Sequence, residues 1–353
     1  MTTTDFSPID RLAQNAPAYA GESIESLVAY SKNNTKNDGE TVRFYFVWLA
    51  QNIHYDFSER EAPKRRTSKQ EPDSVFYNRK GICRGYADLM TALCQKAGIP
   101  ARTVTGYSKS LEGEADSVEF HAWNIIKTNN QWQLSDVTWA SNYFERDNIL
   151  DEHFNNYFQQ PANTFIKRHY PFDPVFQLSE KARVRGAFFF ADTEGAACET
   201  KTILDFNKIL DEEAQLSSLE QNIKSYERAV AFIPEERRLY DVLSYFQSEK
   251  ANIIFNEGSN ILDKFRILEP ENVKNWSYQD AKNNVLEAKE AQNLFKKALK
   301  LYESMIFIEE NNDTKLKQSN LLIIHKNVEA TGKLIDYLMG IESELKKIGI
   351  AQK

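Results

Sequence analysis

Residues 79–107 read RKGICRGYADLMTALCQKAGIPARTVTGY and residues 120–139 read FHAWNIIKTNNQWQLSDVTW. In the first stretch Ala87, Met90, Leu93, Cys94 and Ala97 recur at steps of three and four, and Gly98 precedes Ile99-Pro100. That spacing predicts a helix that opens at Cys83 and stops at Gly98. ARTVTGY, EFHAWNIIK and QWQLSDVTW are short runs rich in β-branched and aromatic residues, and Asn129-Asn130 separates the last two. They predict antiparallel strands with a hairpin.

A thiol at a helix N-terminus meets unpaired N–H groups and the positive end of the helix dipole, both of which favour the thiolate. Cys83 has that placement. Gly81 and Gly85 flank it, and the missing side chains are expected to let a substrate backbone come close. N–H groups at the helix start could hold an oxyanion. Cys94 lies on the apolar stripe about 16 Å further along the helix, too far to bond Cys83, and reads as core. Cys198 follows a GAA segment and reads as structural or incidental.

A cysteine nucleophile needs a base within hydrogen-bond reach and a third group to hold that base. If Asn129 and Asn130 form the centre of the hairpin, His121 faces Thr138 and Trp123 faces Asp136. Asp136 then shares a face with His121 at diagonal side-chain reach; an odd-length loop would split the two between faces. Cys83, His121 and Asp136 are therefore the expected catalytic residues. The remaining histidines, His54, His153, His169 and His325, read as packing or surface residues. Trp123, Trp139 and Tyr86 sit beside the candidates in sequence, and core packing is their first reading.

No close C-x2-C or H-x3-H pair suggests a structural zinc site, and no Gly-rich phosphate loop or dinucleotide fingerprint occurs. No metal and no cofactor are expected. A net charge of −7 gives no general attraction to a phosphate backbone, so no nucleic-acid partner is expected. The three Lys64, Arg65 and Arg66 side chains lie in SEREAPKRRTSKQEPDS, which reads as a surface loop. No apolar run approaches the roughly 18 residues that would span a bilayer. The first twenty residues lack the pattern of a signal peptide. As it stands the sequence points to the cytoplasm, and removal of a leader would instead place the protein in the periplasm or outside the cell.

The two quoted stretches, with VRFYFVWLAQNIHYDF upstream and RHYPFDPVFQLS downstream, resemble the transglutaminase-like superfamily. The likeness is to the branch of the kyphoscoliosis peptidase and related cytokinesis proteins, and it covers roughly residues 20 to 180. The resemblance implies an α+β, papain-like transglutaminase core with an antiparallel sheet, and it assigns the nucleophile, base and orienting roles to Cys83, His121 and Asp136. It implies acyl chemistry on a protein or peptide amide through a thioester, by hydrolysis or transfer. The alternative is a catalytically silent scaffold that binds a protein or cell-wall partner. The resemblance to exported bacterial relatives is what makes a removed leader an alternative, and a cell-wall peptide is one candidate substrate.

Beyond Ile203 the chain turns uniformly helical in pattern. Leu294, Phe295, Ala298, Leu301, Tyr302, Met305 and Ile306 form one stripe, and Leu321, Ile324, Val328, Thr331, Ile335, Leu338 and Leu345 another. The expected organisation is a cysteine-nucleophile domain over residues 1–195 and an all-α helical bundle over residues 196–353, the latter a candidate surface for a protein partner.

Overall fold

The computed structural model describes residues 5–61, 70–109, 118–141, 154–189, 200, 203–265, 273–307 and 312–351. The chain divides into two compact units, Met1–Leu216 and Ser217–Lys353.

The first unit is α+β. Helices α1 (Ser7–Gln14), α2 (Ile24–Asn34) and α3 (Asp38–Asn52) precede the first short strand, β1 (His54–Tyr55). Asn37 starts α3 by accepting the Glu40 N–H, the usual duty of an N-cap amide. In α3 the residues Phe44, Tyr45, Phe46, Val47, Leu49 and Ala50 are all fully buried. A helix apolar on every side belongs in the middle of a core. Burial of each large side chain contributes about 1.5–3 kcal/mol. Arg43 is the exception on this helix: its guanidinium forms a forked ion pair with Asp10 of α1, at 2.6 and 2.7 Å, and packs over Phe6, Phe154 and Phe158.

The stretch expected as a surface loop contributes to two helices, α4 (Phe57–Glu61) and α5 (Pro72–Asn78). Pro72 opens α5, where its missing N–H costs nothing, and that role explains why a proline here does not mean irregular chain. Lys64, Arg65 and Arg66 lie outside the described residues, as do His153 and Cys198. Strand β2 (Lys80–Gly81) pairs in parallel with β1 and leads directly into α6 (Cys83–Lys96).

The main sheet comprises β3 (Ala101–Lys109), β4 (Val118–Thr128), β5 (Gln131–Ser135) and β6 (His169–Pro171) in the order β5-β4-β3-β6, all antiparallel. Thr128 pairs with Gln131, and Asn129 and Asn130 both have positive φ, 50° and 60°. That is the geometry of a two-residue primed turn, in which asparagine is tolerated. The hairpin has the expected register, but β5 stops at Ser135. Asp136 leaves the ladder, donates its N–H to Tyr157 O, and starts a one-turn helix α7 (Val137–Ala140) by accepting the Trp139 N–H at 3.0 Å. Its capping carboxylate overrides the β-type composition of DVTW.

Strand β6 lies in the RHYPFDPVFQLS stretch. It docks on β3 at Gly106, where a Cβ would lie 2.1 Å from Tyr170 O and 2.7 Å from the Trp123 ring. On one side of the sheet Asn124 donates to Ala87 O at 2.8 Å and ties β4 to α6. A separate apolar cluster gathers Val104, Trp123, Ile125, Trp132, Leu134, Phe165, Val175, Phe176 and Leu210. Leu210 belongs to the helix Phe206–Glu213, which also pairs with the sheet through Asp211 to Lys127 at 2.6 Å.

The second unit is all-α. Its helices are Ser218–Phe232, Arg238–Asp263, Tyr278–Ser304 and Asn312–Ala351. Both stripes read from the sequence supply its core: Phe295, Ala298, Tyr302 and Met305 pack with Ile324, and Ile335 and Leu338 pack with Val285 and Ala288. Ile306 lies past the end of its helix and is exposed. Ser277 and Asp280 form a reciprocal capping box that starts Tyr278–Ser304. No helix among the described residues is long and apolar enough to cross a membrane.

Candidate active site

Cys83 is the first residue of α6 and is partly exposed, whereas Cys94 is fully buried in the core. Burial pushes the Cys94 thiol far above its ordinary range. The helix start is organised from outside. Its N-cap residue, Ile82, has no capping side chain, and Gln70 Oε1 accepts the Ile82 N–H at 3.0 Å. The two glycines beside Cys83 serve packing rather than an open groove. A Cβ on Gly85 would lie 2.5 Å from Gln70 Oε1 and 2.9 Å from Val75, and one on Gly81 would lie 3.1 Å from Val75. The room expected there for substrate is occupied by the protein's own side chains.

His121 sits on β4 directly across from Gly106 on β3. Its Nε2 donates to Asp136 Oδ2 at 2.7 Å. The residues singled out on the hairpin therefore meet, although through a helix cap rather than along an extended strand. His121 is 8% exposed and Asp136 is 0% exposed. Burial alone would drive the imidazole toward its neutral form. The charge and hydrogen bond of Asp136, with smaller contributions from the Cys83 thiol, overcome that and raise the His121 pKa from 6.5 to about 10. Nε2 being committed to Asp136, Nδ1 is the ring nitrogen left to face the thiol.

Asp136 is held on both oxygens. Oδ1 accepts the Trp139 N–H, and Oδ2 accepts His121 at 2.7 Å together with a second imidazole, His169 Nε2, at 2.9 Å. Burial opposes ionisation here too, and the His121 charge with the two imidazole hydrogen bonds outweighs it, holding the carboxyl well below the usual carboxylate range.

His169, read from sequence as a packing or surface residue, is the member that sequence reasoning missed. It is 2% exposed and stacks on Phe165 at 3.9 Å between ring centroids, with Trp139 at 4.4 Å and Trp123 at 5.0 Å. The signal was its place in HYP, a three-residue strand too short for alternation to register. His54 and His325 are exposed, as expected of surface residues. Trp123, Trp139 and Tyr86 are buried; the two tryptophans wall the site, and Tyr86 donates its hydroxyl to Ile53 O in the core.

His121, Asp136 and His169 are also the one group among the described residues whose donor atoms, all within 4.8 Å of one another, could hold a metal ion. Two nitrogens and a carboxylate oxygen suit zinc or another borderline divalent ion. The same atoms are joined by hydrogen bonds of ordinary length, which accounts for their convergence without an ion.

Residues 25–137, which include the cysteine at the start of α6 and the histidine and aspartate held beside the antiparallel sheet, match the model of the transglutaminase-like superfamily. Among relatives, kyphoscoliosis peptidase of Homo sapiens is 32% identical over 181 residues, which cover 49% of this chain and 26% of that protein. The Mus musculus protein is 31% identical over 179 residues with the same coverage. The matched region thus spans about a quarter of those relatives' length. Of solved structures, a TGase is 18% identical, covering 42% of this chain and 35% of that one, with a TM-score of 0.28. The periplasmic domain of TgpA from Pseudomonas aeruginosa is 20% identical, covering 39% and 49%, with a TM-score of 0.27.

Proposed function

We propose that the first unit performs cysteine-dependent acyl chemistry on a protein or peptide amide, with Cys83 as nucleophile, His121 as acid and base, and Asp136 as the group that orients and charges His121. The observation that carries this reading is the His121–Asp136 hydrogen bond of 2.7 Å beside a partly exposed cysteine that opens a helix. The similarity to a protein named as a peptidase supports it.

The Cys83 thiolate attacks the amide carbon, and the carbonyl electron pair moves onto oxygen, where N–H groups at the start of α6 stabilise the oxyanion. Collapse of that intermediate expels the amine, which takes its proton from His121, and leaves a thioester on Cys83. Water or a second amine then attacks the thioester and gives a proton back to His121, releasing an acid or a new amide. Hydrolysis is favoured over transfer, because no feature among the described residues selects a lysine-like acceptor. Cell-wall peptides belong in the substrate screen, and the helical unit is the part of the chain suited to bind a protein partner.

The test is iodoacetamide labelling of Cys83 followed by peptide mapping between pH 4 and 9, in the wild type and in His121→Ala. Labelling that remains fast at pH 6 and collapses in the variant is the expected result. Slow labelling that rises only near the ordinary thiol pKa of about 8.5 and ignores His121 would overturn the enzymatic reading and leave a scaffold that binds its partner without chemistry.

A further inference from the structure

We propose that His169 is a positioning residue for this site: its Nε2–H fixes and charges Asp136, and through Asp136 keeps His121 in the protonated, correctly oriented form. The role for catalysis rests on the acyl-chemistry reading; the role in holding His121 protonated does not.

The argument starts from which atom can donate. An ionised carboxylate only accepts, so at 2.9 Å from Asp136 Oδ2 the His169 Nε2 must carry the proton. A neutral ring in that tautomer leaves Nδ1 as a bare lone pair. Nδ1 is buried and makes no hydrogen bond of ordinary geometry among the described residues. The gap beside the ring, lined by Trp123, Leu134, Phe165 and Phe176, has no room for a water. Burial, the largest effect, and the nearby His121 charge both oppose a proton on Nδ1, and they lower the pKa of His169 to about 4 against the pull of Asp136 and, more weakly, of the Phe165 backbone carbonyl. His169 is thus a neutral donor whose one hydrogen bond of ordinary geometry goes to Asp136.

A residue present only to pack would not need an imidazole in this slot. Phenylalanine would stack on Phe165 and Trp139 equally well and would leave no polar nitrogen stranded. What the imidazole adds is one charge-assisted hydrogen bond to the oxygen that also holds His121. Two donors meeting at Oδ2 and the Trp139 N–H at Oδ1 leave the carboxylate a single rotamer. The neutral ring supplies its hydrogen bond without a second positive charge, so it does not compete with His121 for the proton.

The experiment compares wild type, His169→Phe, His169→Gln and His121→Ala by two readouts. One is the pH profile of Cys83 alkylation; the other is NMR titration of the imidazoles, of which the chain has five. His169→Phe should lower the His121 pKa by about one unit and slow alkylation at pH 6 about tenfold. His169→Gln, which can return an N–H to the same place, should restore most of both. Thermal melts identify any variant that fails to fold, and Gln carries the test if Phe is such a variant. An unchanged His121 titration in His169→Phe would overturn the proposal even if Cys83 remains activated. A lowered His121 pKa in a protein whose Cys83 is inert would uphold the positioning role and overturn the acyl chemistry instead. Equal losses in Phe and Gln variants that fold normally would overturn the donor role.

Discussion

Gly106 and Tyr170 approach so closely that a Cβ on the glycine would lie 2.1 Å from the tyrosine carbonyl oxygen. This contact seats β6 on β3, and β6 carries His169. Gly106→Ala must push β6 away or distort β3, as neither neighbour is a flexible side-chain end. Overpacking of this kind costs about 1–3 kcal/mol. Urea unfolding should show that loss, and the His121 titration should shift together with it. A variant as stable as wild type would mean that β6 is not anchored at Gly106.

Asp136→Asn keeps an oxygen that can accept the Trp139 N–H, so α7 should survive, while the charge that holds His121 protonated is gone. NMR titration should move His121 from about 10 downward toward 6.5. Alkylation of Cys83 at pH 6 should fall with it. A His121 pKa that stays high in this variant would show that another group supplies the charge.

The site makes folding stability depend on pH from both sides. His169 has a folded pKa lowered to about 4, so its contribution is present above the unfolded value of 6.5 and is lost as pH falls toward 4. Asp136, lowered further, loses its contribution only in stronger acid. His121 is raised to about 10, so its contribution is present below 6.5 and is lost as pH rises through 10. Urea denaturation across pH should therefore give a maximum near neutrality, and His169→Gln should flatten the slope between pH 6.5 and 4. A wild-type profile flat over that interval would contradict the buried, neutral state of His169.

The Asp10–Arg43 pair, 3% and 0% exposed at the side chains, lies outside the site and joins α1 to α3. Removing one partner strands the other, and Asp10→Ala should cost about 3–5 kcal/mol. The double variant Asp10→Ala with Arg43→Met should recover a large part of that loss, because the aromatic slot of Phe6, Phe154 and Phe158 suits a thioether. Thermal melts of the single and double variants decide it; a double variant no better than the single would mean that the aromatic slot needs the guanidinium itself.

Much of this was legible in the sequence because the relevant signals are local. The helix beginning at Cys83 follows from spacing and a closing Gly98, and the hairpin register follows from two asparagines that adopt positive φ. The end of β5 was not legible, because DVTW has strand composition and only the tertiary placement of Asp136 turns it into a helix cap. Gly81 and Gly85 misled for the same reason: a glycine shows that something comes close, not what, and here it is Val75 and Gln70. His169 escaped because its strand has three residues and its partner is 33 positions away.

Because the Asp136 side chain is at once a helix cap and the acceptor for two imidazoles, truncating it would damage architecture and reactivity together. Under the proposed acyl chemistry, a dead-but-folded reagent for capturing substrates is therefore better made at Cys83, whose side chain terminates no secondary element.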